Sequence, residues 1–135
     1  MSRYVALVDG AAGAYGVSFP DLPGCVAMGS TVDEALAHAA EALRDWIVLT
    51  EETAGVPSPR ALEEIRRDAD TAEALRDGAS LAIVPLVRDT GRPAKANLSI
   101  DAGILAAIDE EAARRKLTRS ALVELMARRM LPELV

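Results

Sequence analysis

Tyr15-Gly16-Val17-Ser18-Phe19-Pro20-Asp21-Leu22-Pro23-Gly24-Cys25 is the stretch from which the fold can be read. Its first five residues alternate large and small side chains, as a strand with one buried face does. The next five are dense in turn formers: proline restricts φ and glycine admits a positive φ, so the chain must reverse there. Residues 25–28 then resume as a short third strand. Upstream, residues 4–8 form another β-prone run, and Gly10, Gly13 and the alanines between them supply a loop, so the two runs predict a hairpin.

Downstream the period changes. Thr31-Val32-Asp33-Glu34 has the capping-box spacing, with the Thr31 hydroxyl placed to accept from the backbone three residues on and Glu34 to reach back. Val32, Ala35, Leu36, Ala39, Ala40, Leu43, Trp46 and Ile47 follow at helical spacing, which predicts an amphipathic helix to about Leu49 lying on one sheet face. Gly55-Val56-Pro57-Ser58-Pro59 stops it. Residues 60–68 read as a second, mostly polar helix, residues 75–78 as a turn back, and residues 81–87 as a fourth strand. Pro85 lacks an amide donor and belongs near a strand end, an edge or a bulge.

At 135 residues and 14.3 kDa the chain makes one domain or two small ones. Half of it is hydrophobic and 27% is charged, enough apolar material for a core. The aromatics are Tyr4, Tyr15, Phe19 and Trp46, too few for a surface that holds single-stranded nucleic acid by stacking. The net charge of −6 divides unevenly: residues 1–92 carry −7 and residues 93–135 carry +1. Arg88-Asp89-Thr90-Gly91-Arg92-Pro93 has linker composition and marks that change. The expected organisation is a front αβ domain over residues 1–88, a linker over 89–94 and a second domain over 95–135. A lone Cys25 excludes an internal disulfide or a cysteine-based zinc cluster and suits a reducing compartment. With no secretory leader at residues 1–10 and no apolar run of membrane-spanning length, the expectation is a cytoplasmic protein without a membrane partner.

Lys95-Ala96-Asn97-Leu98-Ser99-Ile100 alternates polar and apolar residues and predicts one strand, followed by helices over about 102–115 and 118–130. A segment this small, without disulfide or metal, is near the limit of independent folding, and one strand cannot pair its own backbone groups. A symmetric homodimer solves both problems: the strand pairs antiparallel with its copy, and four helices close over one face. Ala96, Leu98 and Ile100 then point inward with Ile104, Leu105, Ile108 and Ala112 of one helix and Ala121, Leu122, Leu125, Met126 and Met130 of the other. Of these, Leu98, Ile100, Leu105, Ile108, Leu122, Leu125 and Met126 form the expected dimer core. Lys95, Asn97 and Ser99 point outward on a ribbon that fits a DNA major groove, where Asn pairs with adenine and Lys reaches guanine or phosphate. Thr118, Arg119 and Ser120 open the last helix, whose amides and dipole suit a DNA phosphate.

Asn97-Leu98-Ser99-Ile100-Asp101, leading into Leu105 and Ile108 and followed by Thr118-Arg119-Ser120-Ala121-Leu122-Val123, resembles a ribbon-helix-helix DNA-binding domain. One departure stands out: the family often has Gly or Asn where this chain has Lys116. The resemblance implies base reading by Lys95, Asn97 and Ser99 and phosphate contact by Thr118 to Ser120. The front half, through residues 15–25, then Gly29-Ser30-Thr31, Glu34-Ala35 and Ala39-Ala40-Glu41-Ala42-Leu43, is similar to HicB-type antitoxins. That resemblance implies an α+β fold of order β-β-β-α-(α)-β, related to a degraded ribonuclease H fold. It also implies that this domain binds a small basic HicA-type mRNA-cleaving toxin and covers its catalytic His. The acidic front half supports capture of a basic partner.

The expected function is an antitoxin that neutralises its toxin and represses its own operon by binding operator DNA. The resemblance leaves room for tetramers. The alternative is an orphan ribbon-helix-helix regulator whose front domain senses a ligand or only oligomerises. No enzymatic activity, cofactor or metal is expected. His38 lacks a Ser or Cys partner at useful spacing. Asp9, Asp21, Glu34 and Asp45 resemble a carboxylate set of the ribonuclease H kind, yet turns and caps account for Asp21 and Glu34. Cys25 reads as a small packed residue, and Trp46 as core rather than an exposed anchor.

Overall fold

The computed structural model describes residues 1–134 and divides into two compact units, Met1–Leu86 and the remainder from Val87 onward. Val87 and Arg88 therefore group with the second unit. The chain has mixed α+β structure, with the four strands among the described residues in one antiparallel sheet.

In the first unit, β1 (Arg3–Ala11) and β2 (Ala14–Ser18) form the hairpin expected from the alternation. Both strands extend to a two-residue turn, where Gly13 takes φ +90° and donates its amide to the Ser30 carbonyl. β3 (Val26–Gly29) follows the turn at Pro20 to Gly24, and β4 (Ser80–Pro85) closes the sheet in the order β3-β2-β1-β4. β4 is an edge strand with Pro85 as its last residue, the position a missing amide tolerates.

Helix α1 (Val32–Glu51) begins at Thr31, whose side chain accepts from the Glu34 amide. It covers one face of the sheet, chiefly over β3 and β2. Ala35, Ala39, Leu43 and Ile47 of its stripe pack with Tyr4, Ala6, Val8, Val17 and Val84 from the strands. Small residues on the first turns let the helix approach closely; Leu43 and Ile47 fill the deeper space. Trp46 is half-buried against this core and donates Nε1–H to the Pro23 carbonyl.

The expected single helix over 60–68 is corrected to two, α2 (Leu62–Arg67) and α3 (Ala69–Arg76). The break falls at Asp68, held in extended backbone with ψ 133°. Its carboxylate takes Nη1 and Nη2 of Arg60 at 3.0 and 2.8 Å, so a tertiary contact overrides helix continuation. The turn expected over 75–78 starts later, after Arg76, and Gly78 closes it.

In the second unit, α4 (Ala102–Arg115) and α5 (Arg119–Met130) match the expected helices, and a 3₁₀ turn follows at Leu131–Glu133. Residues 92–101, which include the strand expected over 95–100, carry no regular element in the single chain. A strand exists only through a ladder, and the single chain supplies this segment with no ladder partner.

Candidate functional site

Two regions carry chemistry, one in each unit. In the second unit Lys95, Asn97 and Ser99 are all exposed, and so are the Leu98 and Ile100 that alternate with them; Leu98 reaches 71% exposure. Asp101 then caps α4, its Oδ1 accepting from the amides of Gly103 and Ile104 at 2.9 and 3.2 Å. Of the expected dimer-core residues, only Leu122 is buried within the chain. Leu105, Ile108 and Leu125 are half-buried, while Leu98, Ile100 and Met126 are exposed. Ile104 and Met130, on the same two stripes, are also exposed.

The turn between α4 and α5 is held by Lys116 in left-handed backbone, φ 57° and ψ 39°. Leu117 N–H reaches the Ala112 carbonyl at 2.8 Å and Lys116 N–H the Ala113 carbonyl at 3.1 Å, a Schellman ending. The conformation is the one for which Gly or Asn is favoured, and Lys116 adopts it at a steric cost. Thr118 caps α5 by accepting from the Ala121 amide at 3.1 Å. Arg119 forms a two-bonded pair with Asp109, Nε to Oδ1 at 2.7 Å and Nη2 to Oδ2 at 2.8 Å, which lowers the Asp109 pKa and raises that of Arg119. Nothing in the residue spacing pointed to this partner for Arg119. Asp89 in the linker accepts from Arg128 of α5 at 3.1 Å, so that end of the linker is tied to its own unit.

In the first unit the sheet face opposite α1 is the informative one. The register aligns Leu81, Leu7, Ser18 and Val26 across all four strands, and Asp9, Gly16 and Met28 in the next row. Val26 and Met28 stand 63% and 68% exposed. Beside them, Leu7, Ser18 and Phe19 meet the start of α3 around a cavity of about 420 Å³. Asp68, Asp70 and Thr71 supply its polar wall. Sequence reading passed over Asp70 and Thr71, because polar residues on a short polar helix give no pattern.

The wall is braced by Arg60, which binds Asp68 on one side and the Asp21 carboxylate on the other through both its Nε and its backbone amide. Asp21, with a side chain only 5% exposed, thereby joins the turn after β2 to the α2–α3 break. The Asp68 carboxyl is held below its ordinary pKa by its hydrogen bonds from Arg60.

Of the remaining candidate residues, His38 and Glu34 have structural partners. His38 is exposed, and its Nδ1 lies 2.7 Å from the Met28 carbonyl; a carbonyl only accepts, so Nδ1 carries the proton. Glu34 accepts from the Ser30 hydroxyl at 2.8 Å, which lowers its pKa. Asp9, Asp21, Glu34 and Asp45 do not converge; among the described residues no group of three His, Cys, Asp or Glu side chains could hold a metal ion. Cys25 is buried and its thiol is pushed up to about 11 by desolvation. Among the described residues no helix is long and apolar enough to cross a membrane.

Comparison with known proteins adds four findings. The family described as HicB-like antitoxin of bacterial toxin–antitoxin systems matches residues 4–127. An uncharacterized 14.9 kDa protein of the rep-hol intergenic region of Haemophilus phage HP1 is 29% identical over 97 residues, 71% of each chain. Among solved structures, the Burkholderia pseudomallei antitoxin HicB is similar at 27% identity and a TM-score of 0.51, covering 98% of both chains. A HicA3 and HicB3 toxin–antitoxin complex contains a chain similar at 25% identity and a TM-score of 0.50, covering 64% of this chain and 98% of that one.

Proposed function

Because the chain belongs to the HicB-like antitoxin family of bacterial toxin–antitoxin systems, we propose that it is a non-catalytic antitoxin that neutralises a HicA-type toxin with its first unit and represses its own operon with its second. The observation that carries this reading is the family match running from residue 4 to residue 127, through both units. A solved complex of a HicA3 toxin with a similar HicB3 chain supports a toxin partner. The kinship of the front unit to a ribonuclease H fold rests on the resemblance alone.

The DNA-binding half of the proposal is supported by what the single chain leaves unfinished. Leu98, Ile100, Ile104, Met126 and Met130 are exposed apolar side chains, on a segment without a regular element and on two helices. A second copy would pair residues 95–100 as a ribbon and cover those side chains at once. Lys95, Asn97 and Ser99 would then form the outer row that reads bases, and the α5 start at Thr118, Arg119 and Ser120 would contact phosphate.

The test is a pair of titrations with the full chain. Binding of the small protein encoded by the neighbouring reading frame, with loss of its RNA cleavage, is expected; a folded chain that leaves that activity intact refutes the antitoxin role. On the DNA upstream of its own gene, Asn97→Ala is expected to cost about 1–3 kcal/mol per base contact, and Lys95→Ala to reduce the salt slope by about 1 per phosphate contact. Unchanged binding by both variants removes the ribbon from DNA reading. DNA binding without any toxin partner would favour the orphan regulator.

A further inference from the structure

The cavity on the sheet face opposite α1 contains a group that the fold leaves unanswered. Thr71 is the one polar residue among the described buried ones, 3% exposed, and its hydroxyl has no hydrogen-bond partner among the described residues. A threonine within a helix commonly returns its hydroxyl to a carbonyl one turn back; Thr71 does not. No buried side-chain oxygen among the described residues is both sealed from solvent and unpartnered, so the Thr71 hydroxyl keeps some exposure, on a residue that lines the cavity. Ser18, half-buried across the cavity, has no side-chain partner among the described residues either.

The rest of the wall decides what fits. Asp70 has no ion-pair partner among the described residues, whereas Asp68 is already held by Arg60. Two carboxylates disfavour an anion, and a purely apolar occupant would leave both hydroxyls and Asp70 without bonds. Leu7 and Phe19 line the same space and would cover a methylene stem. A long stem with a cationic, donor-rich head is a lysine or arginine side chain, and about 420 Å³ accommodates one. Exposed Val26 pairs with the cavity residue Ser18, and exposed Met28 follows two residues on in β3; together they supply an apolar contact around a polar anchor. Arg66 and Arg67, the nearest cations in sequence, lie on the last turn of α2 outside the lining.

We propose that this cavity receives a lysine or arginine side chain of the toxin, with Asp70 taking the charge and the Ser18 and Thr71 hydroxyls accepting its remaining N–H groups. The inference rests on the antitoxin reading and adds the place and chemistry of one contact.

The test uses the full chain, the protein of the neighbouring reading frame, and acetyl-arginine amide as a probe, with acetyl-norleucine amide and acetyl-glutamate amide as controls. The arginine probe is expected to give saturable amide shifts at Ser18, Asp70 and Thr71. Asp70→Asn is expected to weaken toxin binding about tenfold and the near-isosteric Thr71→Val by a smaller factor, with the urea midpoint of the unit retained by Asp70→Asn. Wild-type toxin affinity in Asp70→Asn overturns the inference and leaves the antitoxin reading standing. Equal shifts from norleucine, or shifts from glutamate instead, overturn it as an apolar or anionic site. No toxin binding by the unmodified chain refutes the antitoxin reading and the inference with it, while the arginine probe still reports separately on the cavity.

Discussion

Gly29, the last residue of β3, lies hard against the start of α1, and replacing it with alanine tests how the first unit is packed. A Cβ there would stand 2.7 Å from Ala35 Cα and 2.9 Å from the Glu34 carbonyl carbon, and closer still to the Ala35 amide nitrogen, where ordinary contacts begin at 3.4 Å. All three obstacles are backbone, so no rotamer change relieves them; the start of α1 must move by roughly 0.7 Å or more, or β3 must. Overpacking of this kind costs typically about 1–3 kcal/mol. Lifting Ala35 and Ala39 from the sheet adds lost contacts, which brings the expected loss to about 3 kcal/mol. For a unit of 86 residues, whose stability is of order 4–13 kcal/mol, that is a large fraction. With a urea slope of about 1.5 kcal/mol/M, the midpoint should fall by about 2 M. Trp46, the only tryptophan, sits on α1 and reports this unit by fluorescence. Gly24→Ala is the control: φ is +86° with open space around it, so it measures backbone strain alone, about 1 kcal/mol. A Gly29→Ala midpoint no lower than that of Gly24→Ala would refute the close-approach argument.

Three further outcomes are expected. Lys116→Gly should stabilise the second unit by about 0.5–1 kcal/mol by removing left-handed strain, read as a higher midpoint of helical circular dichroism; no gain would mean that the Schellman turn is not strained. Cys25, with its thiol at about 11, should be only about one part in a thousand thiolate at pH 8 and react slowly with a disulfide reagent, speeding up in urea along the Trp46 curve; fast labelling of the folded chain contradicts its burial. Glu111 is held at about 2 by hydrogen bonds from Arg114 and Arg115. A lowered folded pKa means that its contribution is complete above the ordinary range near pH 4.5 and is lost as pH falls toward 2. Glu111→Gln should flatten that limb of the second unit's acid melt, and high salt should shrink the difference because the network is exposed.

What could be read from sequence follows the range of the forces involved. Thr31 and Glu34 are three residues apart, and the stripe from Ala35 to Ile47 is set by helix period, so α1 was legible along with the hairpin and the turn before β3. The break at Asp68 was not, because it depends on Arg60 eight residues back and on Asp21 a further 39 positions upstream of Arg60. The segment 95–100 has the alternation of a strand, but a ladder is a property of two strands, and periodicity in one chain reports only half of it. At the cavity, Leu7 and Phe19 belong to patterns already recognised. Thr71 and Asp70 become visible only when burial and missing partners are known, neither of which has a sequence period.

The Arg119–Asp109 pair has a bearing on how a DNA contact at α5 would respond to ions. An arginine that waits in solvent sheds no internal partner when it meets a phosphate, and the release of cations from the DNA drives the contact. Arg119 instead carries its own counter-anion on the neighbouring helix. Engaging phosphate becomes an exchange of a carboxylate for a phosphate, or the sharing of one guanidinium between them. Asp109 stays close to the polyanion in either case, so each such contact would bring the DNA less net neutralisation than its arginine count suggests.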